Sequence, residues 1–361
     1  MEWSLTKWYK CTNVLSRHKR HDRVGDQVKA ARLVRFGDPP RFEFAEIPDP
    51  APDPSEVVVD LRAAAFNRRD WWIWTTPGHC SLPVTLGSDG AGVVSAVGAA
   101  VNGPAPGDHV VFDPTLQWGE SEEAPTPQFD ILGAPTDGTF AERVAVPAEN
   151  VVPKPARLSW EEAAALNLGG LTAWRAVVTC AQAGPGRTLL VTGAGSGVAT
   201  FAVQIAAALG AKVFITSSSE YKLKRARALG AQGGVSYRDP DWPQRLRDLA
   251  GGGLDAAIDS FGGPSWEAAL RALRTGGTLV SFGDTSGPET TLTTASVYWQ
   301  WRRVLGTSMG SPREYRALLA HVERASWRPV IDSAFPLDRI DDAARRLVEH
   351  DRFGKVVLRI A

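Results

Sequence analysis

The stretch "RTLLVTGAGSGVATFAVQIAAALGAKVFITSSSEYK", residues 187–222, runs from an apolar segment through a glycine-rich turn into an apolar helix, then out into a second apolar segment. Strand, turn, helix and strand in that order form a βαβ unit, and such units build a parallel sheet. The glycines suit a sharp strand-to-helix turn, where backbone N–H groups and the helix N-terminus can approach a pyrophosphate. Gly195, Ser196, Gly197 and Val198 are therefore candidate cofactor contacts. The spacing is not a literal G-x-G-x-x-G, because Gly193, Gly195 and Gly197 alternate and Ala199 stands where helix and strand must pack closely. Taken alone, a glycine-rich turn without a ligand is the competing reading.

The end of the second apolar segment sharpens the choice. A dinucleotide site that binds the ribose 2′-OH of NAD carries Asp or Glu about 20 residues after the glycines. Here the sequence reads "ITSSSEYK": Ser217, Ser218 and Ser219 offer hydroxyls without charge, and Lys222 follows within reach of an added phosphate. A carboxylate would repel a 2′-phosphate and serines would not, so NADP is the expected cofactor. By spacing alone, Lys222 fits a solvated helix lysine equally well.

The same rhythm extends outward. Further strands are expected at "LDAAIDSF", "GTLVSFG" and "RRVLGTSM", with a helix at "PSWEAALRALRTGG", giving a doubly wound domain over residues 154–310. From 28 to 153 the pattern changes to short alternating segments such as "EVVVDLRAAAF", "GVVSAVG" and "DHVVF", punctuated by Pro, Gly and Asp, which signals a β-rich domain with no long helix. The C-terminal "FGKVVLRIA" alternates like a strand in need of a sheet, and residues 311–361 are assigned with the first domain. Residues 113–138, "DPTLQWGESEEAPTPQFDILGAPTDG", are expected as a long acidic loop that either lies over a site or is a solvated excursion.

Bulk composition narrows the partners. The chain has 361 residues, 40 basic and 40 acidic, and this zero net charge removes any global electrostatic case for nucleic acid or an anionic membrane. A small-molecule substrate is expected. Cys11, Cys80 and Cys180 are scattered and odd in number, so they assemble neither a disulfide framework nor a Cys-rich zinc site, and a reducing cytoplasm is the expected location. No apolar run reaches the roughly 18 to 20 residues of a membrane helix. Residues 1–27 are basic and hold three of the nine lysines, in a chain with 31 arginines. They read as an extension to the domain that opens at Val28: a mis-assigned start, a disordered tail or a transit peptide.

Taken together, "FNRRDWWIW", "LGSDGAGVVSAVG", "PGDHVVF", "DGTFAERVAVPAENVVPKP", "AALNLGGLTAWRAV", the glycine turn and "FGKVVL" resemble the medium-chain dehydrogenase/reductase superfamily, nearest its quinone oxidoreductase-like members. The resemblance runs from Val28 to Ala361. It implies an α/β chain in which a GroES-like β-rich barrel domain, built from both ends, joins a Rossmann doubly wound parallel sheet, with nicotinamide in the cleft between them. It also implies a homodimer formed through the last Rossmann strand, "RRVLGTSM".

Zinc members of that superfamily carry Gly-His-Glu where this chain has Gly87, Ser88 and Asp89. Their first ligand falls on Asn67 and their third near Leu168, so no ligand survives, and the four-cysteine lobe is replaced by residues 113–138. Zinc requires three or four N, S or O ligands. The stretch "PVTLGSDGAGVVSAVG" is then a turn between barrel strands. In NADPH-using quinone reductases a lysine after the second strand and a tyrosine contact the 2′-phosphate; these match Lys222 and Tyr237. Thr172, Phe282 and Lys355 are further expected cofactor neighbours, and Asn67 matches an asparagine lining the nicotinamide pocket. Where many quinone reductases carry a tyrosine, this chain has Trp72, which lacks an acidic hydroxyl.

A ketone and alcohol pair needs its oxygen charge stabilised, which zinc does as a Lewis acid. Without zinc, a conjugated carbonyl or quinone is the easier acceptor, because hydrogen-bond donors suffice for its delocalised anion. Asn67 and Arg69 are the expected donors, with Trp72 in the same candidate catalytic group and Trp71, Trp72 and Trp74 either stacking on a flat substrate or packing in a barrel strand. Two other readings remain: a zinc-independent NADP-linked alcohol dehydrogenase, and a non-catalytic NADPH-binding protein.

Overall fold

The computed structural model describes residues 26–360. The reading of residues 1–27 as an extension therefore lies outside the described residues except for Asp26 and Gln27, and Gln27 already opens the first strand, Gln27–Arg35. Cys11 lies outside them too.

The six strands of the central sheet are all parallel, in the order Gly233–Val235, Lys212–Thr216, Thr188–Val191, Leu254–Asp259, Leu273–Ser281, Arg303–Gly306. Numbered along the chain this is 3-2-1-4-5-6, the doubly wound order that leaves a crevice where the winding reverses, beside the first strand. The strands at 254 and 303 fall where the sequence pattern puts them, whereas the helix expected over 264–277 ends at Ala272 and strand Leu273–Ser281 begins directly after it. The short strand Gly233–Val235 and the helix Trp242–Ala250 are additions that the pattern did not mark.

The second large sheet runs Val151–Pro153, His109–Phe112, Asp89–Val97, Glu56–Ala65, Lys355–Arg359, Ile331–Pro336, with Arg143–Pro147 also paired to Glu56–Ala65. Its register decides the site. Ala65 lies opposite Asp89 on one side and Val357 on the other, so Asp89 and the start of strand Lys355–Arg359 reach the same end of strand Glu56–Ala65. The chain leaves that strand through Phe66, whose N–H donates to the Val356 carbonyl at 2.9 Å, and arrives at Asn67. A third sheet of Arg41–Pro48, Gln27–Arg35 and Val84–Thr85 closes the β-rich half.

One expectation is corrected here. The aromatic run does not pack as a strand: Arg68–Thr75 is a helix, with Trp74 buried against Phe42 and Phe66 and Trp71 and Trp72 half-buried. The acidic residue in its first turn, Asp70, turns back to accept the Asn67 N–H at 2.7 Å, which satisfies one of the donors that any helix start leaves open.

Residues 113–138 are anchored rather than a free excursion. Trp118 is buried edge-on to Phe129, and the Arg175 guanidinium donates to the carbonyls of Glu122 and Glu123. Arg175 also forms a buried ion pair with Glu314 at 2.7 Å. Arg175 directly follows helix Trp160–Trp174 and Glu314 lies in the first turn of helix Pro312–Arg324, and the two helices share the core containing Phe201 and Val191. Among the described residues no helix is long and apolar enough to cross a membrane.

Candidate active site

The sheet register brings three polar side chains together inside the protein. Lys355 Nζ donates to Asn67 Oδ1 at 2.6 Å and to Asp89 Oδ2 at 2.8 Å, and Asn67 Nδ2 donates to the same Asp89 oxygen at 2.9 Å. The other Asp89 oxygen accepts the Leu168 N–H at 2.7 Å. Exposure is 0% for Asp89, 3% for Lys355 and 6% for Asn67, so the charges are tolerable only because they are paired and hydrogen-bonded. Asp70 lies beside them. Burial, opposed by the Asn67 N–H, pushes its carboxyl up to about 6.

The other candidate catalytic residues lie around this cluster. Arg69 donates to the carbonyls of Gly133 at 3.0 Å, Ile131 at 3.3 Å and Ala134 at 2.6 Å, so its guanidinium clasps the end of the 113–138 segment. Trp72 packs edge-on to His79, with ring centroids 4.2 Å apart. Arg68, which the sequence pattern did not single out, stacks its guanidinium on Trp71 at 3.6 Å.

The glycine turn sits at the carboxyl end of the first parallel strand and adjoins this cluster. Gly193 and Gly195 have φ of +71° and +108°. Ser196 caps helix Gly197–Ala208 by accepting the Ala199 N–H at 3.1 Å. Among the described residues the N–H groups of Gly195, Ser196, Gly197 and Val198 meet no acceptor, which is the open helix start that an anion fills. A Cβ on Gly197 would stand 2.7 Å from Lys355 Cδ, and one on Gly195 would stand 3.1 Å from Lys222 Cδ. Both lysine stems therefore lie against the turn. These residues fit a dinucleotide.

Next to it, the hydroxyl-rich end of the second strand forms a small polar surface. Tyr237 Oη donates to Ser218 Oγ at 2.9 Å, Ser217 Oγ accepts the Ser219 N–H at 3.2 Å, and Ser219 caps helix Glu220–Ala228. Lys222 is half-buried there, and burial followed by the neighbouring Arg352 guanidinium holds its ammonium below the usual lysine range. Thr172 is buried on helix Trp160–Trp174, its hydroxyl donating to the Leu168 carbonyl at 2.9 Å. Phe282 is half-buried at the end of the fifth parallel strand, its N–H donating to the Asp259 carbonyl at 3.1 Å.

Two further residues escaped the sequence pattern. Asp259, fully buried at the end of the fourth strand, accepts Thr192 Oγ1 at 2.8 Å, Ser265 Oγ at 2.7 Å and the Gly262 N–H at 2.9 Å, which ties the glycine turn to its neighbour. Its signal was an acidic residue ending an apolar strand. Arg352, whose carbonyl lies against Gly195, is pushed down to about 10 by burial.

A metal does not fit the donor set. The Asn67 amide oxygen, its only metal-ligating atom, accepts from the Lys355 ammonium, Leu168 contributes only its backbone, and the Ser88 hydroxyl is buried without a hydrogen-bond partner. Among the described residues no group of three or more His, Cys, Asp or Glu side chains is placed to hold a metal ion.

Comparison with known proteins agrees with this architecture. Residues 53–156 match the family described as alcohol dehydrogenase GroES-like domain, and residues 197–324 match that described as zinc-binding dehydrogenase. A zinc-type alcohol dehydrogenase-like protein of Schizosaccharomyces pombe is 34% identical, with 85% of this chain and 92% of the relative covered. A quinone oxidoreductase of Pseudomonas aeruginosa is 30% identical, covering 92% of this chain and 99% of that one. Among solved structures, an NAD-dependent alcohol dehydrogenase superposes with a TM-score of 0.87 at 42% identity, covering 92% of this chain and all, 100%, of that chain.

Proposed function

The chain belongs to the medium-chain dehydrogenase/reductase superfamily, and within it we propose an NADPH-dependent reductase of quinones or α,β-unsaturated carbonyls that works without zinc. The observation that carries this reading is the buried Asn67, Asp89 and Lys355 cluster: Asn67, which the resemblance aligns with the first zinc ligand, is instead held by hydrogen bonds to an ammonium and a carboxylate. Donors of this strength suit an anion that is already delocalised.

The bound cofactor supplies the hydride. Gly195, Ser196, Gly197 and Val198 would offer their open N–H groups to its pyrophosphate, and Ser217, Ser218, Lys222 and Tyr237 would hold its 2′-phosphate. Thr172 and Phe282 would be further neighbours of the cofactor. Asn67 Nδ2 has one hydrogen on Asp89 and a second that donates to the substrate oxygen. Arg69, spent on loop carbonyls, shapes the wall of the cleft. Hydride addition leaves a hydroquinone anion or an enolate, and a proton from solvent completes the product. The edge strand Arg303–Gly306, with Trp299 and Trp301 exposed beside it at 72% and 78%, suits a second copy of the chain in a homodimer.

The test is NADPH oxidation with a panel of quinones and a panel of enones, before and after chelator treatment. Turnover that survives chelation supports the reading. No turnover with either panel rejects it; alcohol-dependent reduction of NADP would favour the alcohol dehydrogenase reading, and binding without oxidation the non-catalytic one.

A further inference from the structure

Lys355 was expected beside the cofactor, and its stem does lie against Gly197, yet its ammonium is turned the other way, into Asn67 and Asp89. The chemistry of those two partners fixes the amide. An ammonium only donates, so only the amide oxygen can face it, and a carboxylate only accepts, so only the NH2 can face Asp89. An asparagine that could otherwise sit either way round has a single orientation here. Asp89 is held in turn by the Leu168 N–H, from helix Trp160–Trp174, which shares its core with helix Gly197–Ala208.

We propose that Lys355 is a positioning residue for hydride transfer, not a ligand of the cofactor's phosphates: with Asp89 as its anchor it orients and polarises the Asn67 amide so that the second Nδ2 hydrogen is presented to the substrate oxygen. Donation to Oδ1 draws electron density from the amide nitrogen and strengthens the donor, a cooperative effect favoured in a dry interior. The demand for that donor is greatest when negative charge has built on the oxygen, so the effect belongs to kcat more than to acceptor KM. The proposal rests on the reductase reading for its kinetic arm and on geometry alone for its spectroscopic arm.

The experiment compares the unsubstituted protein with Lys355→Met, Lys355→Arg, Asn67→Ala and Lys355→Met combined with Asn67→Ala. A Lys355→Met/Asp89→Asn pair removes both buried charges together, in case the single change fails to fold. NADPH binding, read by fluorescence titration, is expected to change by less than about threefold in Lys355→Met, while kcat falls by about tenfold to a hundredfold, a fraction of what losing a whole oxyanion donor costs. Lys355→Arg recovers part of kcat. The double variant with Asn67→Ala is no slower than Asn67→Ala alone, because the lysine acts through the amide. A large loss of NADPH affinity with kcat intact, or multiplicative losses in the double variant, overturns the proposal.

If the unsubstituted protein turns over neither acceptor class, the reductase reading fails and the second arm decides. The Asn67 side-chain NH2 pair, assigned by its disappearance in Asn67→Ala, is followed by 1H–15N NMR. It is expected to shift in Lys355→Met and in the charge-neutral pair; an unmoved resonance overturns the positioning role independently of any activity.

Discussion

Two lysines lie against the same glycine turn, and their surroundings differ in kind. Lys355 is sealed between Asn67 and Asp89 with every strong acceptor matched. Lys222 is half-buried with its stem against Gly195, forms no ion pair within 4.0 Å among the described residues, and has its ammonium disfavoured by burial and by Arg352, against the opposing pull of Asp351 and Asp332. A matched cation is part of the architecture. A cation without a direct partner can still gain from an incoming anion, which is the role proposed for Lys222. The two lysines can therefore be separated by experiment: damage around Lys355 should appear as lost stability and lost turnover, and damage at Lys222, on the proposed reading, as lost affinity for a phosphate.

The sharpest break would come from Asp89→Ala. It strands the Lys355 ammonium in a buried site and opens the Leu168 N–H. Removing one partner of a buried pair costs about 3–5 kcal/mol. Denaturant unfolding should show a loss of that size, with a smaller loss in Lys355→Met/Asp89→Asn, where both charges go. A loss below about 1 kcal/mol, the range of a surface pair, would mean that the cluster is solvated and the contrast with Lys222 is false.

Asp70, on the same buried side, gives the comparison a pH axis. Its carboxyl titrates at about 6 in the folded chain, raised chiefly by burial, against about 4 when unfolded. Between those values only the folded form holds the proton, so stability from this group is greatest at the acid end and falls as pH rises through the window, by about 3 kcal/mol when complete. Asp70→Asn keeps an acceptor for the Asn67 N–H and removes the titration. Urea unfolding of the variant should lose the slope between about pH 4 and 6 and gain stability above it. An unchanged slope would place the proton elsewhere.

How much of this was legible beforehand follows from chain separation. Gly195 to Lys222 is one continuous stretch, and strand period, glycine turn and the missing carboxylate could be read from neighbours. The Asn67, Asp89 and Lys355 cluster joins residues 22, 266 and 288 positions apart, and only the register on either side of Ala65 brings them together. Helix Arg68–Thr75 was obscured because its tryptophans and isoleucine favour strands by propensity, whereas Asp70 and the burial of Trp74 hold it as a helix. The strand Gly233–Val235 was hidden by its two glycines, and the anchoring of residues 113–138 by Arg175 carries no local pattern at all.

On the open side, Lys222→Ala should leave unfolding nearly unchanged and weaken NADPH by about tenfold to a hundredfold, as expected for one charge-assisted hydrogen bond. NADH, which lacks the 2′-phosphate, should be unaffected. Fluorescence titration with both cofactors reads this directly. Equal losses for the two would move Lys222 away from the 2′-phosphate, and tighter binding of NADH by the unsubstituted protein would overturn the NADP assignment.

The smallest effect tests the finest feature of that surface. Tyr237 donates its hydroxyl hydrogen to Ser218 Oγ at 2.9 Å. A serine hydroxyl has one hydrogen and two lone pairs, so accepting from Tyr237 leaves its own hydrogen free to point at a phosphate oxygen. Tyr237→Phe keeps the ring beside Phe261 and removes only this orienting bond. A neutral hydrogen bond at an exposed position contributes about 0.5–1.5 kcal/mol at most, so NADPH affinity should fall by about two- to tenfold, less than for Lys222→Ala. Ser218→Ala should cost about the same, and the two changes combined little more than either alone, since the tyrosine acts through the serine. If Tyr237→Phe instead matches Lys222→Ala while Ser218→Ala is silent, the phenol touches the phosphate itself, and the recognition surface on the open side is centred on the tyrosine rather than on the serine it now orients.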